Sequence, residues 1–136
     1  MNKVTARRRD GFSHELAVRG HSLLADEPVE DGGADTGPTP TELLAASLAA
    51  CTAITVEMYA GRKGWDLGEV EVEVGYELEA PGRARYDLVV KIPRPLESDQ
   101  RERLQVIAGK CPVHRLLTGN VTITDRIETP PAPAPS

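Results

Sequence analysis

The chain begins with alternating polar and apolar residues, and this two-residue period is typical of half-buried β-strands. The pattern predicts three short strands over residues 4–8, 12–18 and 22–25. Residues 9–11 and 19–21 separate these strands and place a glycine beside polar residues, which favours tight turns. Short turns between consecutive strands indicate an antiparallel meander.

A long uncharged segment follows and predicts a central helix. Residues 43–56 contain no charged side chain. Either Thr39 or Thr41 can act as the N-cap, and Glu42 suits the positive end of the helix dipole. Glycines within residues 61–64 end the helix. At 14 residues the uncharged segment is too short to span a bilayer, so we expect a core helix and no membrane partner.

A helix that is apolar on every side must be buried on every side. One small sheet covers only part of the central helix, and a second helix predicted over residues 96–108 covers another part with Leu104, Ile107 and Ala108. The chain has only one Phe, one Trp and three Tyr to supply further bulk. We therefore expect a second copy of the chain to provide the remaining cover, in a homodimer.

The second half of the chain predicts a hairpin, two helices and a last strand. The expected elements are strands over residues 69–78 and 85–92, helices over residues 96–108 and 111–118, and a last strand over residues 121–127. A turn at residues 79–82, which contains Pro and Gly, joins the two strands of the hairpin. Three strands, a helix, two strands, two helices and a strand indicate an α+β fold with an antiparallel sheet.

Two segments have the composition of irregular structure. Residues 26–40 are rich in Gly, Pro and Asp and predict a long exposed loop, a kind of segment that often lies near a functional site. Residues 129–136 are Pro-rich and predict a disordered tail. A single domain is therefore expected over residues 1–128.

Composition and charge narrow the class of protein. The chain is 40 % hydrophobic and 27 % charged, which is typical of a soluble globular domain. Its net charge of −5 argues against a nucleic-acid partner, and residues 7–9 form its only basic cluster. The first ten residues are charged and lack the apolar region of a secretory signal. We expect a cytoplasmic protein, whose two cysteines stay reduced rather than forming a disulfide scaffold.

The two cysteines are the main candidates for chemistry. Cys51 lies in the middle of the predicted central helix, where a free cysteine often only packs the core. Cys111 precedes Pro112 at a helix start, so it is an expected N-cap whose pKa the unpaired amides lower, with Lys110 and His114 as nearby positive groups. The cysteines are 60 residues apart, so redox chemistry requires the fold to bring them together.

Other chemistries find less support in the sequence. Cys51, Cys111, His114 and His21 could in principle supply four zinc ligands, but only Cys111-x-x-His114 has a ligand-like spacing. The sequence has no Gly-x-Ser-x-Gly elbow of a hydrolase and no Gly-rich phosphate loop. Inert packing and thiol chemistry remain the two main interpretations, and no cofactor is expected.

Two cysteine motifs resemble the signature of a known family. Residues 37–51, GPTPTELLAASLAAC, lead from a Pro-containing loop into a helix with a cysteine, and residues 111–117 read CPVHRLL. Residues 20–26 and the glycines at 32–33 are similar as well. Together they resemble the OsmC/Ohr family (osmotically inducible and organic hydroperoxide resistance proteins). The resemblance implies an OsmC-like α+β fold, with antiparallel sheets wrapped around central helices in an intertwined homodimer.

The resemblance also implies an activity, the thiol-dependent reduction of organic hydroperoxides. Cys51 would be the peroxidatic thiolate that becomes a sulfenic acid, and Cys111 would resolve it as a disulfide that an external dithiol reduces. Active members of the family hold the reactive thiolate with an arginine and a glutamate. Arg9 resembles that arginine, with Arg19 as a second candidate, and Glu42 is the candidate glutamate.

The candidate glutamate departs from the pattern of the peroxidase branches. There a glutamate directly follows the proline, whereas here Thr41 takes that place and Glu42 stands one residue later. Nine residues separate Glu42 from Cys51, and about 900° of helical rotation puts them on opposite faces. This departure supports an alternative function, a non-catalytic OsmC-like dimer that binds a small apolar ligand. We also expect a cleft lined with apolar side chains at the subunit interface.

Overall fold

The computed structural model describes residues 1–135, so the part of the tail prediction that concerns Ser136 lies outside the described residues. Three strands, β1 (Thr5–Asp10), β2 (Ser13–Val18) and β3 (His21–Ala25), precede the long helix α1 (Pro40–Lys63). They are followed by a hairpin of β4 (Glu71–Ala80) and β5 (Arg83–Lys91), and by helices α2 (Ser98–Ala108) and α3 (Pro112–Thr118). The order of these elements and their antiparallel pairing confirm the predicted α+β fold.

The first three strands form the expected antiparallel meander, with β2 in the middle. Thr5 pairs with Ala17 across β1 and β2, and Val18 pairs with His21 beside the turn between β2 and β3. Every residue of β1 is exposed, and within the described chain this sheet makes no substantial contact with a helix. Phe12 and Leu23 also remain about half exposed. The sheet therefore has apolar surface that its own chain does not cover.

Local sequence signals set both ends of α1. Thr39 is the N-cap, because its hydroxyl accepts from the Glu42 amide while the Glu42 side chain accepts from the Thr39 amide. This reciprocal pair is a capping box, and it satisfies two amides that the first helical turn leaves without partners. At the other end, Gly64 adopts a positive φ of 72° and closes the helix. Thr39 rather than Thr41 is thus the cap.

Only one side of α1 is buried within the chain. Ala45, Leu48, Thr52, Val56 and Ala60 recur at three- and four-residue spacing and are almost inaccessible to solvent. On other sides of the helix Leu44, Ile54 and Met58 keep 42 %, 54 % and 56 % of their surface exposed. The single chain therefore covers α1 only in part, as expected, and the cover of its other sides by a second copy stays a prediction.

Helix α1 extends beyond its 14-residue uncharged segment and lies between the predicted start near Thr39 and the predicted end at the glycines of residues 61–64. The helix has 24 residues, and by length and hydropathy alone it could cross a membrane, a property that core helices of soluble proteins share. Its inner side belongs to the main hydrophobic cluster of the chain, where Val56 and Ala60 pack with Leu67 and Leu104. This packing makes α1 the central element of the fold.

The hairpin and the two later helices surround the buried side of α1. Strands β4 and β5 pair from Glu71 opposite Lys91 to Ala80 opposite Arg83, and the hairpin packs on α1. Helix α2 contributes the buried Leu104 and Ile107, which confirms the predicted apolar side of this helix. Helix α3 is seven residues long and also packs against α1. This last contact positions the candidate site.

The segment between β3 and α1 is built around one carboxylate. Asp26 is buried and accepts hydrogen bonds from the amides of Glu27, Ala34 and Thr36 and from the Thr36 hydroxyl. The chain returns so closely at Gly33 that a Cβ there would lie 1.9 Å from the Glu27 carbonyl oxygen. The loop predicted over residues 26–40 is thus mostly exposed, as expected, but its first residue, Asp26, is buried and holds the loop together by hydrogen bonds.

The predicted strand over residues 121–127 is absent from the described chain. The alternating pattern is present, yet these residues have no regular secondary structure, and Ile123 and Ile127 are 77 % and 90 % exposed. A strand needs a neighbour for its backbone hydrogen bonds, and neither sheet of the chain offers one to this segment. Residues 129–135 likewise have no regular secondary structure.

Candidate active site

The fold places the two cysteines side by side, although 60 residues separate them in sequence. Cys51 lies in the middle of α1, and Cys111 is the N-cap of α3, which packs against α1. Both cysteines are free, and they lie close enough for each to act on the pKa of the other. Cys111 is completely buried, whereas Cys51 is only half-buried. Cys51 is therefore partly accessible to solvent, whereas Cys111 is not.

The surroundings of Cys111 favour its thiolate. Its Sγ accepts a hydrogen bond from the backbone N–H of His114 at 3.5 Å, which confirms the predicted N-cap role. Burial alone would raise the pKa of Cys111, but the neighbouring Cys51 thiol, the amides of His114 and Val113 and the nearby Thr52 hydroxyl together lower the pKa of this thiol. Cys51 has the largest lowering effect, and His114 contributes through its backbone amide.

The surroundings of Cys51 act in the opposite direction. Burial raises the pKa of the Cys51 thiol, and the neighbouring Cys111 raises it further, both as the acceptor of its hydrogen bond and as a like charge. The Val113 amide and the Thr55 hydroxyl lower the pKa of Cys51 by less. Of the two coupled thiols, Cys111 is therefore the one whose surroundings favour the thiolate, and Cys51 the one whose surroundings favour the protonated thiol.

Thr52 is a residue of the site that the sequence did not single out. Its hydroxyl is buried, and Thr52 itself is completely inaccessible to solvent. The hydroxyl makes no regular hydrogen bond with any atom of residues 1–135, and Cys111 Sγ is close enough for the hydroxyl to lower the pKa of that thiol. The sequence signal that could have identified Thr52 is that it is the one polar residue among the apolar positions at the same spacing along α1.

The candidate arginines lie outside the pair of cysteines in the single chain. Arg9 is exposed on β1, and its side chain makes no hydrogen bond or ion pair within residues 1–135. Arg19 is exposed in the turn between β2 and β3, with a positive φ of 50°. Burial has the largest influence on the pKa of either thiol, followed by the other thiol, backbone amides and threonine hydroxyls, and neither arginine is among the causes. The catalytic role of Arg9 thus remains a prediction.

The candidate glutamate has a structural task in the same chain. Glu42 Oε1 accepts from the Thr39 amide at 2.8 Å, and this exposed contact belongs to the capping box of α1. Glu42 is therefore engaged at the start of the helix, more than two turns before Cys51. Its catalytic role also remains a prediction.

The residues considered as zinc ligands do not converge in the described chain. His21 begins β3, in the sheet that stands apart from the helices, whereas Cys51 and Cys111 meet between α1 and α3. Within residues 1–135, no three His, Cys, Asp or Glu side chains are grouped closely enough to hold a metal ion. The geometry of the site supports thiol chemistry between two sulfurs.

An open apolar cleft of about 920 Å³ lies along α1 beside this site. Its walls come from the start of α1, the tip of the β4–β5 hairpin and helix α3. The apolar and aromatic lining includes Leu44, Leu48, Leu78, Tyr86, Leu88 and Leu117. Leu48 precedes Cys51 by one helical turn, so the cleft could seat an apolar group close to the half-buried sulfur. The predicted location of such a cleft at a subunit interface stays a prediction.

Comparison with known proteins agrees with this architecture. The model of the family described as OsmC-like protein matches residues 32–125, a range that includes both cysteines. No functionally curated protein matches the chain.

Solved structures with the same fold include several bacterial proteins. A protein from Psychrobacter arcticus named for osmotic stress and detoxification response has 21 % identity and a TM-score of 0.75, with 85 % of this chain and 87 % of that chain covered. An OsmC-like protein from Mycoplasma pneumoniae has 19 % identity and a TM-score of 0.68, with 88 % of each chain covered. The organic hydroperoxide resistance protein OhrB of Bacillus subtilis has 25 % identity and a TM-score of 0.62, with 88 % and 92 % covered.

Proposed function

Because the chain belongs to the OsmC-like protein family, we propose that it is a thiol-dependent peroxidase that reduces organic hydroperoxides through Cys51 and Cys111. The observation that carries the proposal is that two free thiols from distant parts of the chain are brought close together by the packing of α3 on α1. Structural relatives that are named organic hydroperoxide resistance proteins support the same class of substrate.

The first step is the attack of Cys51 on the peroxide. Cys51 is the more accessible thiol, and the lowered pKa of Cys111 favours a Cys111 thiolate, which is the base beside Cys51 and takes its proton as the attack begins. The Cys51 thiolate bonds to the terminal oxygen of the hydroperoxide, the O–O bond breaks, and the alkoxide leaves as an alcohol after it takes the proton from Cys111. Cys51 is then a sulfenic acid, and Cys111 is again a thiolate.

The second step closes a disulfide. The Cys111 thiolate attacks the sulfur of the Cys51 sulfenic acid and expels hydroxide, which takes up a proton from solvent to become water. The hydroperoxide has then been reduced by two electrons, and the two thiols have been oxidised to one disulfide. An external dithiol returns the protein to its reduced form. The need for such a reductant fits our further proposal that the protein works in the cytoplasm.

The apolar cleft beside α1 supports an organic rather than an inorganic peroxide as substrate. A volume of about 920 Å³ is far larger than hydrogen peroxide requires, and the leucines of its walls favour a hydrocarbon substituent. We therefore expect cumene hydroperoxide to be consumed faster than hydrogen peroxide at equal concentration. Equal turnover of both peroxides would contradict a role for the cleft in binding substrate.

One assay tests the proposed function. Loss of cumene hydroperoxide is followed in the presence of dithiothreitol for the wild type and for Cys51→Ser, Cys111→Ser and Ala50→Ser. Ala50 is exposed and precedes Cys51 on α1, so Ala50→Ser controls for a serine placed in this helix. We expect turnover by the wild type and the control and only background loss with Cys51→Ser. Turnover that survives in Cys51→Ser contradicts the proposal.

We also propose that the active form is a homodimer. Three surfaces support it: the uncovered sheet of β1–β3, the exposed apolar positions Leu44, Ile54 and Met58 of α1, and the unpaired residues 121–127. A second copy would bury apolar area and could offer sheet edges to residues 121–127. Arg9 lies away from the cysteine pair of its own chain, but in a dimer it could approach the cysteine pair of the partner subunit.

A non-catalytic binding protein is the second candidate function. It is favoured by the capping role of Glu42 and by the distance of Arg9 from the thiols, together with the apolar cleft. The fluorescent probe 1-anilinonaphthalene-8-sulfonate distinguishes the two functions when its binding is measured beside peroxide loss. Probe binding that Leu48→Gln weakens, in a protein that consumes no hydroperoxide, would favour this second function.

A further inference from the structure

We infer that Thr52 is a positioning residue that holds Cys111 as the leaving thiolate, so that the external thiol opens the Cys51–Cys111 disulfide by attacking Cys51. The inference rests on the proposed function for its physiological setting. Two points go beyond that function: the cysteine that the reductant attacks, and the role of Thr52, which follows Cys51 in α1.

Accessibility sets the point of attack. Cys111 has no exposed surface, whereas Cys51 is half-buried and lies one turn from the cleft residue Leu48. Thiol–disulfide exchange requires the incoming sulfur to approach along the axis of the S–S bond. Of the two cysteines, Cys51 is the one that keeps exposed surface for such an approach, because Cys111 is completely buried at the start of α3.

Stabilisation of the departing sulfur reinforces this direction. Exchange is faster when the leaving thiol has the lower pKa, and the amide of His114 already donates to Cys111 Sγ at 3.5 Å. The Val113 amide and the Thr52 hydroxyl also lower the pKa of this thiol, and the Thr52 hydroxyl is the one of these groups that is buried without a hydrogen-bond partner within residues 1–135. A thiolate accepts a hydrogen bond far better than a thiol or a disulfide sulfur does.

The state of Thr52 itself points to a charged partner. Its residue is completely buried, and its hydroxyl has no regular hydrogen bond in the part of the chain that the structure describes. A buried hydroxyl without a hydrogen-bond partner destabilises the state in which it remains unpaired. That cost is offset when Cys111 becomes a thiolate, so the hydroxyl favours the state in which the disulfide has opened towards Cys111.

The chemistry balances with a dithiol as the reductant. One thiolate of the dithiol bonds to Cys51 Sγ, the S–S bond breaks, and its electron pair remains on Cys111 Sγ. The second thiol of the dithiol then loses its proton, attacks the reductant sulfur of the mixed disulfide and releases Cys51, which takes up a proton. The dithiol leaves as a cyclic disulfide, oxidised by two electrons, and both cysteines are reduced.

The direction of opening is tested by trapping the mixed disulfide with a monothiol. The disulfide is formed with diamide, which does not depend on peroxidase activity, and the oxidised protein is exposed briefly to glutathione. After an acid quench, free thiols are alkylated with N-ethylmaleimide and the peptides are analysed by mass spectrometry. We expect glutathione on Cys51 and the alkyl group on Cys111. Glutathione found mainly on Cys111 overturns the inference.

The role of Thr52 is tested with Thr52→Val and Thr52→Ser. Thr52→Val keeps the shape of the side chain and removes the unpartnered hydroxyl, so the midpoint of urea unfolding should not fall. Thr52→Ser keeps the hydroxyl as a hydrogen-bond donor. In a Cys51→Ser background, thiolate absorbance at 240 nm reports the titration of Cys111. In the Cys51→Ser background, we expect Thr52→Val to raise the apparent pKa of Cys111. In otherwise wild-type protein, we expect Thr52→Val to slow reduction of the disulfide about tenfold. Thr52→Ser should keep both the pKa and the reduction rate near those of the protein with Thr52.

The two proposals fail in different ways. Identical titration curves and identical reduction rates for the wild type and Thr52→Val would overturn the inference about Thr52, whatever the peroxidase assay shows. A protein that consumes no hydroperoxide, but whose Cys111 titration and disulfide opening depend on the Thr52 hydroxyl, would refute the proposed peroxidase and leave this inference intact.

Discussion

Asp26 holds together the segment that leads from β3 into α1. The Thr36 amide, and then those of Glu27 and Ala34 with the Thr36 hydroxyl, outweigh burial and lower the pKa of the Asp26 carboxyl. A carboxylate that collects several N–H donors can order a loop that has little apolar surface of its own. This segment ends at Thr39, the N-cap of α1, so Asp26 also supports the start of the central helix.

Asp26→Asn should lower the stability of the fold in a pH-dependent way. The folded-state pKa of Asp26 is depressed, so its contribution is fully present above the unfolded pKa of about 3.9 and is lost as the pH falls through the lower folded pKa. We expect a lower urea midpoint for Asp26→Asn near neutral pH, and a difference from wild type that shrinks once the pH drops below about 4.

The control for this experiment is Asp31→Asn. Asp31 lies in the same segment, but it is exposed and its side chain makes no hydrogen bond within residues 1–135. Its substitution should leave the midpoint nearly unchanged at every pH. A gap between wild type and Asp26→Asn that persists undiminished into acid would show that the carboxylate does not act through its charge.

At the scale of elements, α1 combines two roles that conflict within one chain. Its inner side, through Val56 and Ala60, forms the core with α2 and the segment after α1, and its middle carries Cys51. Its other sides expose leucine, isoleucine and methionine side chains. A helix exposed in this way is stable in water when another surface covers it.

The start of α1 allows the capping and catalytic roles of Glu42 to be separated. Thr39→Ala removes the N-cap oxygen and should lower the free energy of unfolding by about 1 kcal/mol, whereas Thr39→Ser should retain it. Glu42→Gln keeps an acceptor for the Thr39 amide, so its stability should stay near that of the wild type. Urea unfolding measures these effects.

Peroxide loss by Glu42→Gln then shows what else this side chain does. If Glu42 serves only the capping box, hydroperoxide turnover should match that of the wild type. A large loss of turnover at unchanged stability would instead place the Glu42 carboxylate in the catalytic site, as the resemblance to the peroxidase branches implies.

At the scale of the whole molecule, the single chain has three incomplete surfaces. The β1–β3 sheet is uncovered, part of α1 is uncovered, and residues 121–127 lack a strand partner. Each of these belongs to a different part of the sequence, and one partner subunit could complete all three. The proposed homodimer therefore accounts for several separate features with one assumption.

Ile54→Lys should disrupt this dimer. Ile54 is 54 % exposed in the single chain, so a lysine there does not disturb the core of the subunit, but it would place an unpaired charge in the proposed interface. Light scattering after size exclusion should show the mass of one chain for this variant and of two chains for the wild type. Glu102→Lys, at an exposed position on α2, is the control and should remain dimeric.

The same measurement bears on the active site. If the partner supplies an arginine to the cysteine pair, monomeric Ile54→Lys should also lose hydroperoxide turnover while its two thiols remain in contact. A wild-type protein with the mass of one chain at all concentrations would contradict the dimer and leave the exposed side of α1 unexplained.

Much of the architecture could be predicted because local signals specify it. Thr39 and Gly64 bound α1 through capping and a left-handed residue, alternation marks β4 and β5, and Cys111 before Pro112 marks the start of α3. These signals act between residues that are close in sequence, through sterics and backbone hydrogen bonds. The pattern over residues 121–127 failed because a strand also needs a distant partner.

The sequence by itself determined the order of the first five strands and the three helices, the cap of α3 at Cys111 and the presence of two thiols in suggestive settings. Only the tertiary structure decided that Cys51 and Cys111 lie close together, that Cys111 is buried while Cys51 is partly accessible, and that the Thr52 hydroxyl is buried near them. The physical reason is that burial and the pKa of a thiol depend on every group packed around it. Those groups come from α1 and α3, whose relative position is set by packing across the whole core rather than by neighbours in the chain.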